Sequence, residues 1–181
     1  MSIAGGWIYY TNEKSWGASI LKIDYQGENN TFIYNFPENE TIVIRDGVDD
    51  FTIDGDWLFY NYNSGLAGRY NMRTGEKYEK HDTDQARFCQ INAIDGQIYA
   101  FTFERKCEKG YRGVGIIDHK TLTIKKVLIS YEYDPDYNWF GGYALINEWL
   151  YYYYLNIEGE KLYRVKLDGS SKEPQLIATF Q

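Results

Sequence analysis

Cysteine, proline and histidine are scarce in this chain. Its 181 residues include two Cys, three Pro and two His. Two cysteines, Cys89 and Cys107, exclude a disulfide framework and a cysteine-rich zinc site, and leave room for one bridge. Three prolines exclude a linker-type composition. His81 and His119 fall in different connections, at opposite ends of their sheets on the reading below, so they cannot share a metal or a proton. No apolar run approaches the roughly 18 residues that a membrane span needs. Residues 1–12 lack the basic start and apolar core of a signal peptide. Cations are outnumbered, 19 Lys and Arg against 26 Asp and Glu, for a net charge of −7. They are scattered, with no basic stripe. Nucleic-acid binding relies on phosphate neutralisation and is disfavoured; so is an anionic membrane surface. Gly-x-Ser-x-Gly, His-Glu-x-x-His and a phosphate loop are missing. Gly113-Val114-Gly115 lacks a third glycine and heads a strand. No segment keeps a 3.6-residue period for three turns, so no helix is expected.

What the chain does have is aromatic residues and repetition. Tyr, Trp and Phe make up 18% of it, with 19 Tyr and 5 Trp. That is too much apolar surface for a disordered chain. Tyr and Trp bury a large body while keeping a polar handle, which suits a sheet with one wet face or a ligand-facing surface. Ile3-Ala4-Gly5-Gly6-Trp7-Ile8-Tyr9-Tyr10 returns as Ile53-Asp54-Gly55-Asp56-Trp57-Leu58-Phe59-Tyr60. It returns again at 94–101 and at 145–152. Aligned this way, positions 7, 57, 98 and 149 are equivalent. A period of this size means one supersecondary unit repeated.

One unit reads clearly. Phe51 to Ile53 is a short apolar strand, and Asp54-Gly55-Asp56 is a tight turn. Trp57 to Tyr62 is a strongly β-prone run. A third strand covers 68–72 and a polar fourth covers 77–80, joined by Arg73-Thr74-Gly75-Glu76. The other third strands are 20–25, 113–118 and 161–167, and the other fourth strands 31–34, 124–129 and 175–179. Their turns begin at Asp24, Asp118 and Asp168, where Asp bonds its own backbone and Gly tolerates φ > 0. Four-stranded units repeating at this step predict an all-β chain, a β-propeller with four four-stranded blades at about 1–40, 51–81, 88–129 and 142–180. The first blade has a truncated inner strand, and 41–45 is an extra β-prone run. Two readings stay open: a compact four-blade ring, or an open piece of a longer propeller whose edges risk pairing with another chain.

The aromatic second strand and Leu167-Asp168-Gly169-Ser170 resemble YWTD-type propellers. Trp7-Ile8-Tyr9-Tyr10-Thr11-Asn12 and Leu162-Tyr163-Arg164-Val165-Lys166-Leu167-Asp168-Gly169 resemble more closely a bacterial propeller family of unknown function. The resemblance spans essentially the whole chain at the level of blades. It implies the fold and an extracellular or cell-surface setting, and carries no catalytic residues.

Function is expected at one end of the blades. The turns joining first to second and third to fourth strands read as short, and the remaining connections as long: 11–19, 63–68, 104–112 and 155–160 within blades, and 37–50, 81–87 and 130–142 between them. Strand alternation puts the long set at one end, where binding residues collect. The richest connection contains Tyr133, Asp134, Asp136, Tyr137 and Trp139, with Trp16 and Tyr111 facing it from other blades. These seven residues are the ligand-binding candidates, suited to a protein, peptide or glycan by stacking and hydrogen bonding. The bland alternative is that the aromatics plug the propeller mouth. No cofactor is expected. Asp134-x-Asp136-x-Asn138 opens like a calcium loop but lacks its Gly and closing Glu, and Asp46, Asp49, Asp50, Asp82 and Asp84 are read as solvated loop carboxylates. Catalysis by paired carboxylates at the channel mouth is the weakest reading. Oligomers through open blade edges are an alternative use of the fold. Cys89 is expected opposite residue 103 or 104, close enough to Cys107 to make a bridge geometrically feasible.

Overall fold

The computed structural model describes residues 2–4, 6–14, 17–24, 26–35, 48–62, 66–81, 86–104, 111–132, 138–171 and 173–180. Sixteen strands form four sheets of four, each a simple antiparallel meander. The first holds β1 (Ser2–Ala4), β2 (Trp7–Lys14), β3 (Gly17–Asp24) and β4 (Thr31–Asn35). The second holds β5 (Val48–Asp54), β6 (Trp57–Tyr62), β7 (Leu66–Asn71) and β8 (Lys77–His81). In the third are β9 (Ala86–Ile94), β10 (Gln97–Glu104), β11 (Tyr111–Asp118) and β12 (Thr123–Glu132). The fourth comprises β13 (Asn138–Ile146), β14 (Trp149–Asn156), β15 (Gly159–Lys166) and β16 (Gln175–Phe180). The expected all-β architecture of four four-stranded blades is what the structure has. Among the described residues no helix is long and apolar enough to cross a membrane.

The repeated turns explain the repeated register. Ala4 pairs with Trp7, Asp54 with Trp57, Ile94 with Gln97 and Ile146 with Trp149, so two residues close each first hairpin. Such loops need positive φ, and Gly6, Gly55, Asp95, Gly96 and Asn147 supply it. The register corrects the alignment of the third repeat: the equivalent of Trp7, Trp57 and Trp149 is Gln97, and Ile98 matches Ile8, Leu58 and Leu150. The tryptophans flank the cores without being buried in them. All three are half-buried, and each lies under a cation two residues before its own partner on the third strand. Lys22 sits 4.3 Å from the Trp7 ring, Arg69 4.5 Å from Trp57 and Arg164 4.2 Å from Trp149. The third blade puts Gln97 and Ile116 there instead.

The core lies between blades. Tyr9 and Ile20 of the first sheet pack with Phe51, Ile53, Leu58 and Tyr60 of the second. Phe59 and Ala67 on the second sheet's other face pack with Ile91, Ile98, Ala100, Ile117 and Leu122. Tyr99, Phe101, Val114, Ile116 and Ile129 on the third sheet's far face meet Phe140, Leu150, Tyr152 and Val165. Side chains alternate across a strand, so each middle sheet is apolar on both faces. The inner strands follow in order, β1 against β5, β5 against β9 and β9 against β13. Among the described residues no comparable contact joins β13 to β1, and no core cluster joins the fourth sheet to the first. Among the described residues the four blades therefore follow one another as an open arc.

Two further expectations change. The first inner strand is short as read, three residues against seven to nine in the other blades. The predicted asymmetry of loop lengths, however, largely disappears. β2 runs to Lys14 and β3 starts at Gly17; β14 runs to Asn156 and β15 starts at Gly159. Polar residues such as Asn12, Glu13 and Lys14 continue the ladder, because backbone pairing needs no apolar side chain. Cys89 pairs with Phe101 and not with residue 103 or 104: the two-residue turn that pairs Ile94 with Gln97 already aims it at Thr102, and the Gln90 bulge shifts it one residue further. Cys107 and the run 41–45 lie outside the described residues.

Candidate functional site

Of the seven expected contact residues, Trp16, Tyr133, Asp134, Asp136 and Tyr137 lie outside the described residues. Tyr111 opens β11 opposite Glu132, and Trp139 is the second residue of β13, opposite Leu155. The β2–β3, β10–β11 and β12–β13 connections leave the same end of their sheets, so the topology groups these positions at one end. Of the carboxylates considered for calcium, Asp46, Asp82 and Asp84 are also outside the described residues. Asp50 is engaged structurally: its Oδ1 accepts the Phe51 amide at 2.9 Å and its Oδ2 accepts the Ile91 amide. Among the described residues no group of three or more His, Cys, Asp or Glu lies together.

The inner strands carry polar links that the sequence did not single out. Gln90 stands at φ 51 in the bulge of β9. Its carbonyl accepts from the Tyr143 hydroxyl of the next blade and from Asn92 Nδ2 at 3.1 Å. The Tyr143 hydroxyl also lies 3.1 Å from the Tyr99 carbonyl. On the other side, Asn61 Nδ2 donates to the Phe88 carbonyl at 2.5 Å, beside the Asp50–Ile91 bond. The bulge is thus clamped from both neighbouring blades. Its left-handed residue is the kind of backbone irregularity found beside functional surfaces. The Gln90 side chain is exposed and passes close to Gly142.

A cleft of about 530 Å³ opens between the third and fourth blades. Leu128, Ile129 and Ser130 of β12 form one wall; Tyr152, Tyr154, Tyr163 and Val165 form the other; Ser171, Glu173 and Pro174 close the rim. The volume falls within the range of small-molecule sites. A column of stacked rings leads to it. Phe101 and Phe140 are 4.5 Å apart, Phe140 and Tyr152 6.1 Å, and Tyr152 and Tyr163 5.5 Å, all near parallel. Burial, with the neighbouring Tyr163 and Tyr154, pushes the Tyr152 phenol well above its ordinary value. Burial also raises the Tyr154 phenol. Both therefore stay neutral hydroxyls at physiological pH, able to donate hydrogen bonds. The run Tyr151-Tyr152-Tyr153-Tyr154 held the signal for this wall, because alternate tyrosines on a strand must face opposite ways.

No family model matches the chain, and no curated protein matches it. Solved structures do. A prolyl endopeptidase is 9% identical with a TM-score of 0.63, over 97% of this chain and 25% of that one. BamB from Moraxella catarrhalis is 12% identical with a TM-score of 0.50, over 92% and 45%. An exo-β-1,3-galactanase from Phanerochaete chrysosporium is 10% identical with a TM-score of 0.55, over 97% and 48%. The fold is a β-propeller. The chain spans a quarter to about half the length of these structures, and at such identities the likeness concerns the fold alone.

Proposed function

We propose that this propeller arc is a non-enzymatic binding module of the YWTD-like kind, engaging a protein, peptide or glycan through the end that carries Trp16, Tyr111, Tyr133, Asp134, Asp136, Tyr137 and Trp139. The observation that carries the reading is topological. The three separate connections that hold or border these seven residues leave the same end of a rigid scaffold. Aromatic rings would stack on the partner, and Asp134 and Asp136 would anchor it by hydrogen bonds. A surface or extracellular setting belongs to the same reading through the family resemblance.

The test is a glycan and peptide array probed with the intact chain, then with Tyr137→Ala and Trp139→Ala, each checked for an unchanged far-ultraviolet spectrum. Loss of at least about tenfold in affinity for the same hits is expected for truncated anchors. Undiminished binding by both variants removes the assignment to this end.

A further inference from the structure

The outermost sheets leave two faces uncovered, and these faces are the two halves of an interface the chain already builds three times. In each joint, the residue after the Trp-equivalent of one blade is buried against the preceding blade: Leu58 is 0% exposed, Ile98 3% and Leu150 0%. The residue after that looks the other way, towards the following blade, and is equally buried: Tyr9 is 7% exposed, Phe59 3% and Tyr99 2%. The fourth sheet presents the second kind of face, and among the described residues no blade meets it. Trp149, Tyr151 and Tyr153 on β14 share that face with Leu162 and Arg164 on β15. The first sheet presents the first kind. Ile8 pairs with Ile23 and Tyr10 with Leu21, so all four share the face turned away from the second sheet. Tyr151 and Ile8 are only half-buried, unlike their counterparts in the covered joints. The covered form of the fourth-sheet face is visible within the chain, because Arg69 over Trp57 is the counterpart of Arg164 over Trp149. The Arg69 side chain, beneath the third sheet, is 13% exposed.

We propose that a second copy of this chain docks face to face at both ends, the fourth sheet of each copy on the first sheet of the other, closing a two-fold ring of eight blades. One partner supplies both missing halves at once, and the new joints continue the pattern of the three existing ones. Eight blades fall within the size range of propellers. The contact is heterologous, and it terminates because the ring closes. It uses sheet faces, leaving the rim strands β4, β8, β12 and β16 as they are. The proposal does not rest on the binding reading above, and either can fail alone.

Sedimentation of the intact chain should give twice the 21.3 kDa monomer mass. Tyr151→Glu on one face and Ile8→Glu on the other should each weaken the dimer at least about 100-fold, by burying an unpaired charge. Mixed together, the two variants should regain a heterodimer, because one joint of the ring is then intact. Cross-linking of isotopically light and heavy wild-type protein reads the pairing without any substitution, and links from Lys166 of one copy should reach the first sheet of the other. A wild-type monomer at about 100 µM, the sign of further blades or an unrelated partner, overturns the proposal. So does a folded Ile8→Glu that remains a dimer, or links between Lys166 and Lys166, since either means that like faces meet.

Discussion

At the residue scale, the turns between third and fourth strands depend on one side-chain oxygen each. Asp118 Oδ1 accepts the amides of Lys120 at 2.9 Å and Thr121 at 2.8 Å. Asp24 Oδ1 accepts those of Gln26 and Glu28, and Asp168 Oδ1 that of Ser170. Hydrogen bonds to the charged form hold all three carboxyls below their ordinary value of 3.8: chiefly from Thr121 for Asp118, from Asn29 and Glu28 for Asp24, and from Ser170 for Asp168. A folded-state value below the unfolded one contributes stability above about pH 4, and that contribution is lost as pH falls through the folded value. Urea midpoints should therefore fall on acidification below about pH 4. The second blade supplies the control: Asn71 Oδ1 accepts the Arg73 and Thr74 amides in the same way and does not titrate. Asp118→Asn should keep the midpoint near neutral pH and flatten its fall in acid. An equally steep fall in that variant would detach the acid response from this turn. These turns were legible in the sequence because Asp and Gly carry the turn chemistry themselves. The cations over Trp7, Trp57 and Trp149 were not, because their spacing from the tryptophan depends on loop length, 12 or 15 residues along the chain.

At the element scale, strand identity was readable and register was not. β-prone runs between turn residues located all sixteen strands. Two errors followed from features with no side-chain signature. Gln97-Ile98 replaces a tryptophan start, so apolar matching slid the third repeat by one residue. The Gln90 bulge then moved Cys89 one residue further from its expected partner. A left-handed conformation costs an L-residue on the order of 1–2 kcal/mol, and a β-branched residue tolerates it worst. Gln90→Gly should therefore leave the unfolding free energy measured in urea unchanged or raise it by up to about 1 kcal/mol, once the greater entropy loss of glycine offsets part of the gain. Gln90→Val should lose about 1–2 kcal/mol. Equal midpoints for the two would mean that the clamp from Asp50 and Tyr143 does not hold residue 90 at positive φ. The candidate site was less legible than the strands, because the walls of the interblade cleft, 128–130 and 152–165, lie on two sheets whose mutual orientation no local pattern encodes.

At the scale of the whole molecule, the repeat allows one substitution to be made in four environments. Ile8, Leu58, Ile98 and Leu150 occupy the same place in successive blades. The last three are buried against the preceding blade, and among the described residues no blade covers Ile8. Truncating a large buried aliphatic to Ala costs about 2–5 kcal/mol through lost transfer energy and the cavity left behind. Leu58→Ala, Ile98→Ala and Leu150→Ala should each fall in that range. Ile8→Ala should cost about 1 kcal/mol in dilute solution, because a half-covered side chain has less transfer energy to lose and leaves no closed cavity. If copies pair through the end faces, the cost at Ile8 should rise with protein concentration while the other three stay constant, since only the Ile8 contact is linked to association by mass action. Chemical denaturation of the four variants across a hundredfold range of concentration separates the cases. A cost at Ile8 equal to that at Leu150 in the most dilute sample would mean that the first sheet is already covered within one chain, and the arc would have to close on itself. A small cost that does not change with concentration would leave the arc open and its ends unpaired.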